Sequence, residues 1–269
     1  MLKVITLCSG YDSQCMALDL IKEQFPPFDY ELVAWSEIDK YAIQAHNAVY
    51  PQWAERNLGD MTKIDWSQVK ECDLLTYSTP CQDISQAGKQ RGLEKGSDTR
   101  SAILWHTERA IRELRPKYLL MENVAALVTK KFIKHFQEWQ ELVNSYGYTS
   151  YAQVLNAKDY GVPQNRKRIF MVSIRNDLDQ RFEFPQPFPL DIRLKDVLET
   201  DVDEKFYLSD KIIKGFMARN EINEERGNGF RFSPTNRGGY AKAILTNAGS
   251  RPCDNFIIDN ETNNSNQHR

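Results

Sequence analysis

The stretch KVITLCSGYDSQ, Lys3 to Gln14, decides the fold. Lys3 to Cys8 is an apolar, partly β-branched run of strand length, and Ser9, Gly10 and Asp12 are small or turn-forming residues. A helix is predicted from about Ser13 to Glu23, stopped by Pro26 and Pro27. Strand, tight turn and helix in that order open a βαβ unit, and the turn lies at the carboxyl end of the strand, where open α/β sheets take their ligands. One glycine in such a turn is by itself a weak signal.

Working outward, the pattern repeats. A strand is predicted over Tyr30 to Trp35, with a helix opening near Asp39 and a weaker unit around Leu58 to Val69. Asp73 to Tyr77 reads as a short buried strand that enters a long polar stretch, Ser78 to Thr99; loops of that length in compact domains are usually functional or disordered. Ile103, Thr107, Ala110, Ile111 and Leu114 share one face of a predicted helix over Ser101 to Arg115, and Tyr118 to Met121 is the strand after it. Phe132, Phe136, Trp139, Val143 and Tyr146 mark a further helix closed by Gly147, followed by strands at Tyr151 to Leu155 and Ile169 to Ile174. The reading is an α/β, doubly wound, mostly parallel Rossmann-like sheet.

After Phe184 the texture changes: Pro185, Pro187 and Pro189 come close together, and beyond Leu208 the chain is polar and weakly periodic. We therefore expect a main domain over residues 1–185, a smaller one over 186–259, and an Asn-rich, disordered tail over 260–269.

Composition bounds the function. The 269 residues carry 35 Lys and Arg against 37 Asp and Glu, a net charge of −2, with 41% hydrophobic residues. This is an ordinary globular composition, long enough to hold a core without metals or disulfides. The five cysteines are odd in number and contain no C-x-x-C pair, so zinc and disulfide readings lose and no metal is expected. No run approaches the ~20 apolar residues of a membrane span, and Met1 to Val4 is a strand entrance and not a secretory signal, so a cytoplasmic location and no membrane partner are expected. Slight acidity disfavours indiscriminate nucleic-acid binding, yet Lys211 to Arg251 holds eight Lys and Arg against three Glu and suits phosphate.

Chemistry-bearing residues collect at the predicted strand ends. Cys81 follows Pro80 just beyond a buried strand; on position alone, a small buried apolar cysteine is the commoner reading. Glu122 closes the apolar strand from Tyr118, where burial would favour a carboxyl able to exchange protons, although a cap or an ion pair is an equally common use. Arg166 and Arg168 flank Lys167 just before a strand, so a period of two sends both guanidinium groups to one side, where they suit anions or carbonyl oxygens, although a solvated strand entrance is the commoner reading of isolated arginines. Glu37 lies where an acidic side chain can take both ribose hydroxyls in dinucleotide-binding folds, and Asp60 after Gly59 is placed to do similar work, although ordinary turn residues beside a helix cap at Asp39 are an equally common reading.

Six motifs in order, LCSGYDSQ (Leu7 to Gln14), SEIDKYA (Ser36 to Ala42), GDM (Gly59 to Met61), STPCQDIS (Ser78 to Ser85), MENV (Met121 to Val124) and QNRKR (Gln164 to Arg168), resemble the DNA cytosine-5 methyltransferase family of bacterial and phage type. RLKDVLE (Arg193 to Glu199) resembles the family's exit into its target-recognition region, so the domain over 186–259 is expected to be a partial target-recognition domain. The resemblance implies S-adenosylmethionine as cofactor and duplex DNA as partner, with Cys81 as nucleophile, Glu122 bonding N3 and the amino group of the target cytosine, and Arg166 and Arg168 steadying the site. Cys8, Ser9, Gly10, Tyr11, Asp12 and Ser13 would line the methionine end of the cofactor and Glu37 its ribose. Ile38 would pack on adenine, Asp60 and Met61 would meet the adenine edge, and Pro80 and Ile103 would touch its cavity. Gln82, Ser85, Lys89, Arg91, Lys95 and Arg100 would face DNA on a loop that clamps the opened strand. The implied setting is restriction-modification or phage self-protection.

The sequence departs from the family pattern twice. Asp12 and Ser13 stand where family members carry more glycine, which alters the backbone's approach to the cofactor. Beyond KAILTNAGSRPCDNFIID (Lys242 to Asp259) the family's final cofactor motif is missing, so three outcomes are expected: a split enzyme completed by a second polypeptide, a truncated and weakly active DNA-binding copy, or a self-sufficient variant. Methylation of tRNA by a related fold is a further alternative. A thiol redox enzyme is disfavoured, because Cys81 has no resolving cysteine nearby in sequence.

Overall fold

The computed structural model describes residues 1–69, 71–80, 100–225, 231–244 and 255–258, with the backbone alone at 100–102. Two compact units divide the chain, the first formed by Met1–Val154 and Arg168–Phe184, the second by Leu155–Lys167 and Pro185–Arg269.

The first unit is a six-stranded sheet with helices against it. In chain order its elements are β1 (Leu2–Leu7), α1 (Ser13–Gln24), β2 (Tyr30–Ser36), α2 (Lys40–Val49), β3 (Leu74–Tyr77), α3 (Thr107–Leu114), β4 (Tyr118–Val124), α4 (Ile133–Ser145), β5 (Tyr148–Asn156) and, after the two-residue β6 (Gln164–Asn165), β7 (Lys167–Arg175). Strand order is β2-β1-β3-β4-β7-β5. The strands β2, β1, β3 and β4 run parallel, whereas β7 pairs antiparallel with β4.

Side-chain alternation splits the core between the two sheet faces. Val4 and Leu32 pack with Cys15 of α1 and Ile43 of α2, whereas Ile5, Leu7 and Leu75 pack with Ala110 and Ile111 of α3 and Phe136, Trp139 and Val143 of α4. Each helix is held by its apolar stripe, and their ends follow local chemistry. Asp39 caps α2, its carboxylate accepting from Tyr41 and Ala42 N–H, and Gly147 at φ 83° allows the chain to turn after α4. The weaker unit expected over Leu58 to Val69 contains no α-helix, only a short 3-10 turn at Trp66–Gln68, preceded by another at Pro51–Arg56. The helix expected over Ser101 to Arg115 begins as a 3-10 segment, Arg100–His106, before α3.

In the second unit β6 pairs parallel with β9 (Ala241–Lys242), and β8 (Thr235–Asn236) with β10 (Ile257–Ile258). The first pairing groups residues 155–167 with the second unit, a long-range contact that a linear division at residue 185 misses. The polar region beyond Leu208 contains a 16-residue helix, α5 (Asp210–Glu225). Its Ile213 and Phe216 close on Phe232 and Phe256, with Phe216 ring centroids 5.4 and 5.7 Å from the other two. The tail over 260–269 lies outside the described residues. Among the described residues no helix is long and apolar enough to cross a membrane, and no cluster of three or more His, Cys, Asp or Glu could hold a metal.

Candidate active site

The site follows from sheet register. Leu7 is level with Ser36 on one side and Tyr77 on the other, and Tyr77 with Met121. Because these four strands are parallel, the next residue of each, Glu37, Cys8, Ser78 and Glu122, follows in one row at the carboxyl edge. Crossover connections leave that edge open for ligands. Cys81 stands three residues beyond Ser78 and lies outside the described residues, as do Gln82, Ser85, Lys89, Arg91 and Lys95; the side chain of Arg100 is likewise undescribed.

The first turn folds through alternate left-handed residues, Cys8 at φ 52°, Gly10 at 60° and Asp12 at 67°. Among the described residues, a Cβ placed on Gly10 would meet nothing within 4 Å, so they leave open space beside the backbone there. Ser9 is buried and its Oγ lacks a partner among the described residues, while Tyr11 is exposed. The Cys8 thiol lies 3.5 Å from Met61 Sδ, and burial, aided by the Glu37 charge, pushes its pKa up to about 12. Two residues expected to face cofactor turn inward. The fully buried Asp12 side chain accepts from the Thr6 hydroxyl at 2.8 Å, so the turn offers a ligand Asp12's backbone and not its carboxylate. Met61 is a core side chain, buried beside Cys8. Ser13 is exposed at the start of α1, and Pro80 and Ile103 are partly buried.

Glu37 does more than an acid waiting for a ribose. Its Oε2 accepts from Gly10 N–H at 2.9 Å, and its Oε1 from Ile38 and Asp39 N–H at 2.8 and 2.9 Å. A carboxylate has about four lone-pair sites, so roughly one, on Oε2, is left to receive a ligand hydroxyl. Ile38, next along, is 70% exposed although apolar. The Asp60 carboxylate folds onto Thr62, accepting from its N–H at 3.0 Å and its hydroxyl at 2.7 Å, and those bonds hold its pKa below the usual carboxylate range.

At β4, Arg168 Nε donates to Glu122 Oε1 at 2.8 Å, with both side chains partly buried. The antiparallel partner β7 makes this pair: Glu122 is level with Phe170 and Val124 with Arg168, which sets Arg168 diagonally across from the carboxylate. Asn123, facing the other way and buried, donates to Thr79 O at 3.2 Å and so ties β4 to the segment leading to Cys81. Arg166 belongs to the second unit, where its N–H donates to Asn156 Oδ1 at 3.0 Å.

Sequence reasoning missed His46, Asn57 and Asn123. His46 and Asn57 look like ordinary helix and turn residues, and Asn123 was read as part of a motif without a task of its own.

Comparison with known proteins agrees with this geometry. The family model for C-5 cytosine-specific DNA methylase matches residues 2–269. The type II methyltransferase M2.ScrFI of Lactococcus lactis subsp. cremoris is 42% identical over 191 residues, 71% of this chain and 52% of that protein. M.NlaX of Neisseria lactamica is 36% identical over 219 residues, 81% of this chain and 67% of that protein. The match thus spans about half the length of the first relative and two thirds of the second. Among solved structures, the Entamoeba histolytica methyltransferase EhMeth superposes with a TM-score of 0.73 at 15% identity, covering 96% of this chain and 76% of that one. A DNMT2 from Spodoptera frugiperda gives 0.71 at 21%, covering 96% and 75%. These likenesses speak for the fold, and the family match speaks for more: the chain belongs to the C-5 cytosine-specific DNA methylase family.

Proposed function

We propose that the chain transfers a methyl group from S-adenosylmethionine to C5 of cytosine in duplex DNA, through a covalent bond between Cys81 and C6 of a flipped-out base, in restriction-modification or phage self-protection. The observation that carries this reading is the Glu122–Arg168 pair, held at 2.8 Å on the sheet edge that also presents the Cys8 to Asp12 turn.

The residues present fit the cofactor. Among the described residues, Gly10 borders open space, Ser9 Oγ is an unpaired buried group, Glu37 keeps an acceptor site, and Ile38 offers an apolar surface in water. Ser9 and Gly10 would hold its amino-acid end, Glu37 a ribose hydroxyl, Ile38 the adenine face and Asp60 the adenine edge. The cofactor, when bound, supplies an electrophilic methyl group on a sulfonium.

Cytosine C5 is a feeble nucleophile until something adds to C6. Thiolate addition by Cys81 at C6 pushes the ring's electron pair onto C5, which can then take the methyl group. Negative charge meanwhile develops at N3, where a hydrogen bond from the Glu122 carboxyl lowers the barrier. Arg168 holds that carboxyl in place through its Oε1, leaving the other oxygen to face the base. Loss of the C5 proton to a base then returns an electron pair to the ring, expelling the Cys81 thiolate. A base inside a duplex cannot be approached this way, so it must first leave the stack. Lys89, Arg91, Lys95 and Arg100 supply positive charge for the opened strand.

The test is transfer of labelled methyl from S-adenosylmethionine to unmethylated duplex DNA, with Cys81→Ser as control. Label in DNA with the wild type and none with the variant is the expected result. Equal labelling by both proteins, or label in tRNA but not in DNA, would overturn the proposal.

A further inference from the structure

We propose that Asn57 is a positioning residue for the cofactor, one carboxamide fixing the distance between Glu37, at the end of β2, and Asp60, in the turn beside it. The proposal rests on the reading of this sheet edge as the S-adenosylmethionine site.

Asn57 lies outside every motif, in the turn between the 3-10 segment Pro51–Arg56 and Gly59. Its Oδ1 accepts from Glu37 N–H at 3.2 Å and from Gly59 N–H at 2.9 Å, and its Nδ2 donates to Glu37 C=O at 3.1 Å. One side chain thereby grips Glu37 on both backbone polar groups and holds the residue before Asp60 as well.

Without Asn57 this turn is already pinned to β2. Leu58 N–H donates to Trp35 C=O at 2.7 Å, and the Ser36 hydroxyl donates to Gly59 C=O at 2.6 Å. The Asn57 carboxamide is therefore not needed to keep residues 57–59 beside the strand. What it adds is a fixed orientation of the Glu37 backbone just where the chain leaves β2, and hence a fixed direction for the Glu37 carboxylate that accepts from Gly10 N–H. It also restrains Gly59, which sits at φ 69° and sets the exit of Asp60. Glu37 follows the end of β2 and Asp60 lies in the turn after the isolated bridge at Asn57, and Asn57 is bonded to the backbone at the first and next to the second. A ligand that touches both acids binds well only if their spacing is set beforehand, since otherwise it must order them itself.

The test uses the full chain and calorimetric titration with S-adenosylmethionine and with S-adenosylhomocysteine, beside wild type, Asn57→Ala and Asn57→Asp. Without the three bonds the spacing of the two acids is no longer set before binding, so the affinity for either ligand should fall about tenfold or more. Asn57→Asp keeps the oxygen that accepts from Glu37 and Gly59 and loses the donation to Glu37, so it should recover part of the affinity. In turnover, the loss should appear in KM for the cofactor and not in kcat, and DNA affinity should match wild type. Equal cofactor affinity in wild type and Asn57→Ala would overturn the inference, as would a variant that loses DNA binding and kcat in parallel. Failure of the wild type itself to bind either ligand would overturn the cofactor-site reading and this inference with it. Should Asn57→Ala not fold, the Asn57→Asp titration decides alone: unchanged affinity and unchanged KM overturn the proposal.

Discussion

The Asp12 carboxylate and the His46 imidazole face each other at 3.6 Å inside the first unit, and neither side chain has any exposed surface. Asp12 occupies a left-handed position of the β1–α1 turn, where glycine is the unstrained choice. Its carboxylate is anchored by the Thr6 hydroxyl of β1, and His46 of α2, whose ring stacks on Trp35 at 3.7 Å, lies beside it just beyond hydrogen-bond distance. The Asp12 side chain thus ties the turn to the neighbouring strand, with the His46 ring in buried contact beside it.

If that contact stabilises the turn, Asp12 and His46 must be energetically coupled. Asp12→Gly removes the carboxylate without adding left-handed strain, and His46→Leu removes the imidazole. Asp12→Gly also leaves the buried Thr6 hydroxyl without its acceptor, at about 1–3 kcal/mol, whereas His46→Leu leaves that hydrogen bond in place. The double variant should cost clearly less than the sum, by about 0.5 kcal/mol or more, in urea unfolding curves. Strict additivity would show that the two residues are merely neighbours.

Glu122 and Arg168 make a separable prediction. Glu122→Gln keeps the shape and removes both the charge and the acid, so methyl transfer should fall about 10²–10⁴-fold, the usual range for a positioned acid or base. The ion pair is partly exposed, so the melting temperature should hardly move. Arg168→Lys should also lose activity, because an ammonium does not reproduce the directed guanidinium donor. Full turnover by Glu122→Gln under saturating cofactor and DNA would remove Glu122 from the chemistry.

Much of this was legible in the sequence because it depends on short-range pattern. Strand ends at Leu7, Ser36 and Tyr77 follow from apolar runs, and once the strands are parallel, Cys8, Glu37, Ser78 and Glu122 must share an edge. What could not be read were contacts made at long sequence distance. Nothing local announces that Asn57 bonds Glu37, twenty residues earlier, or that His46 meets Asp12. The helix α5 was missed for a different reason: its buried surface is little more than Ile213 and Phe216, too narrow a stripe to show as a period, and it is the distant Phe232 and Phe256 that give the stripe a partner.

The buried thiols set a pH dependence. Burial raises the pKa of Cys8 to about 12 and raises those of Cys15 and Cys72 as well. An unfolded thiol titrates near 8.5, so the folded protein holds these protons to higher pH than the unfolded chain does. Their stabilising contribution is therefore complete below about pH 8.5 and declines as pH rises toward the folded values, by up to about 1.4 kcal/mol per pH unit for each thiol. Unfolding free energies at pH 8 and pH 10 should differ accordingly, and Cys72→Ala, which removes one such group from the core, should narrow the difference. An unchanged gap in that variant would show that its thiol does not contribute.

Gly10 and Ile38 separate the demands of folding from those of binding. Gly10→Ala introduces a Cβ that meets no atom of the described residues within 4 Å, so its cost to folding is the left-handed strain at φ 60°, about 1–2 kcal/mol. The same methyl group would stand in the open space beside the turn, where the cofactor is proposed to lie, and should weaken S-adenosylmethionine binding well beyond what that strain explains. Ile38→Ala acts from the other end: the side chain is 70% exposed, so stability should stay within about 0.5 kcal/mol of wild type. Yet removing the apolar platform should raise the cofactor Kd several-fold, because a ligand ring loses the surface that it would cover. Calorimetric Kd values set beside urea midpoints check both variants. Unaltered affinity in the two together would move the cofactor away from this edge of the sheet.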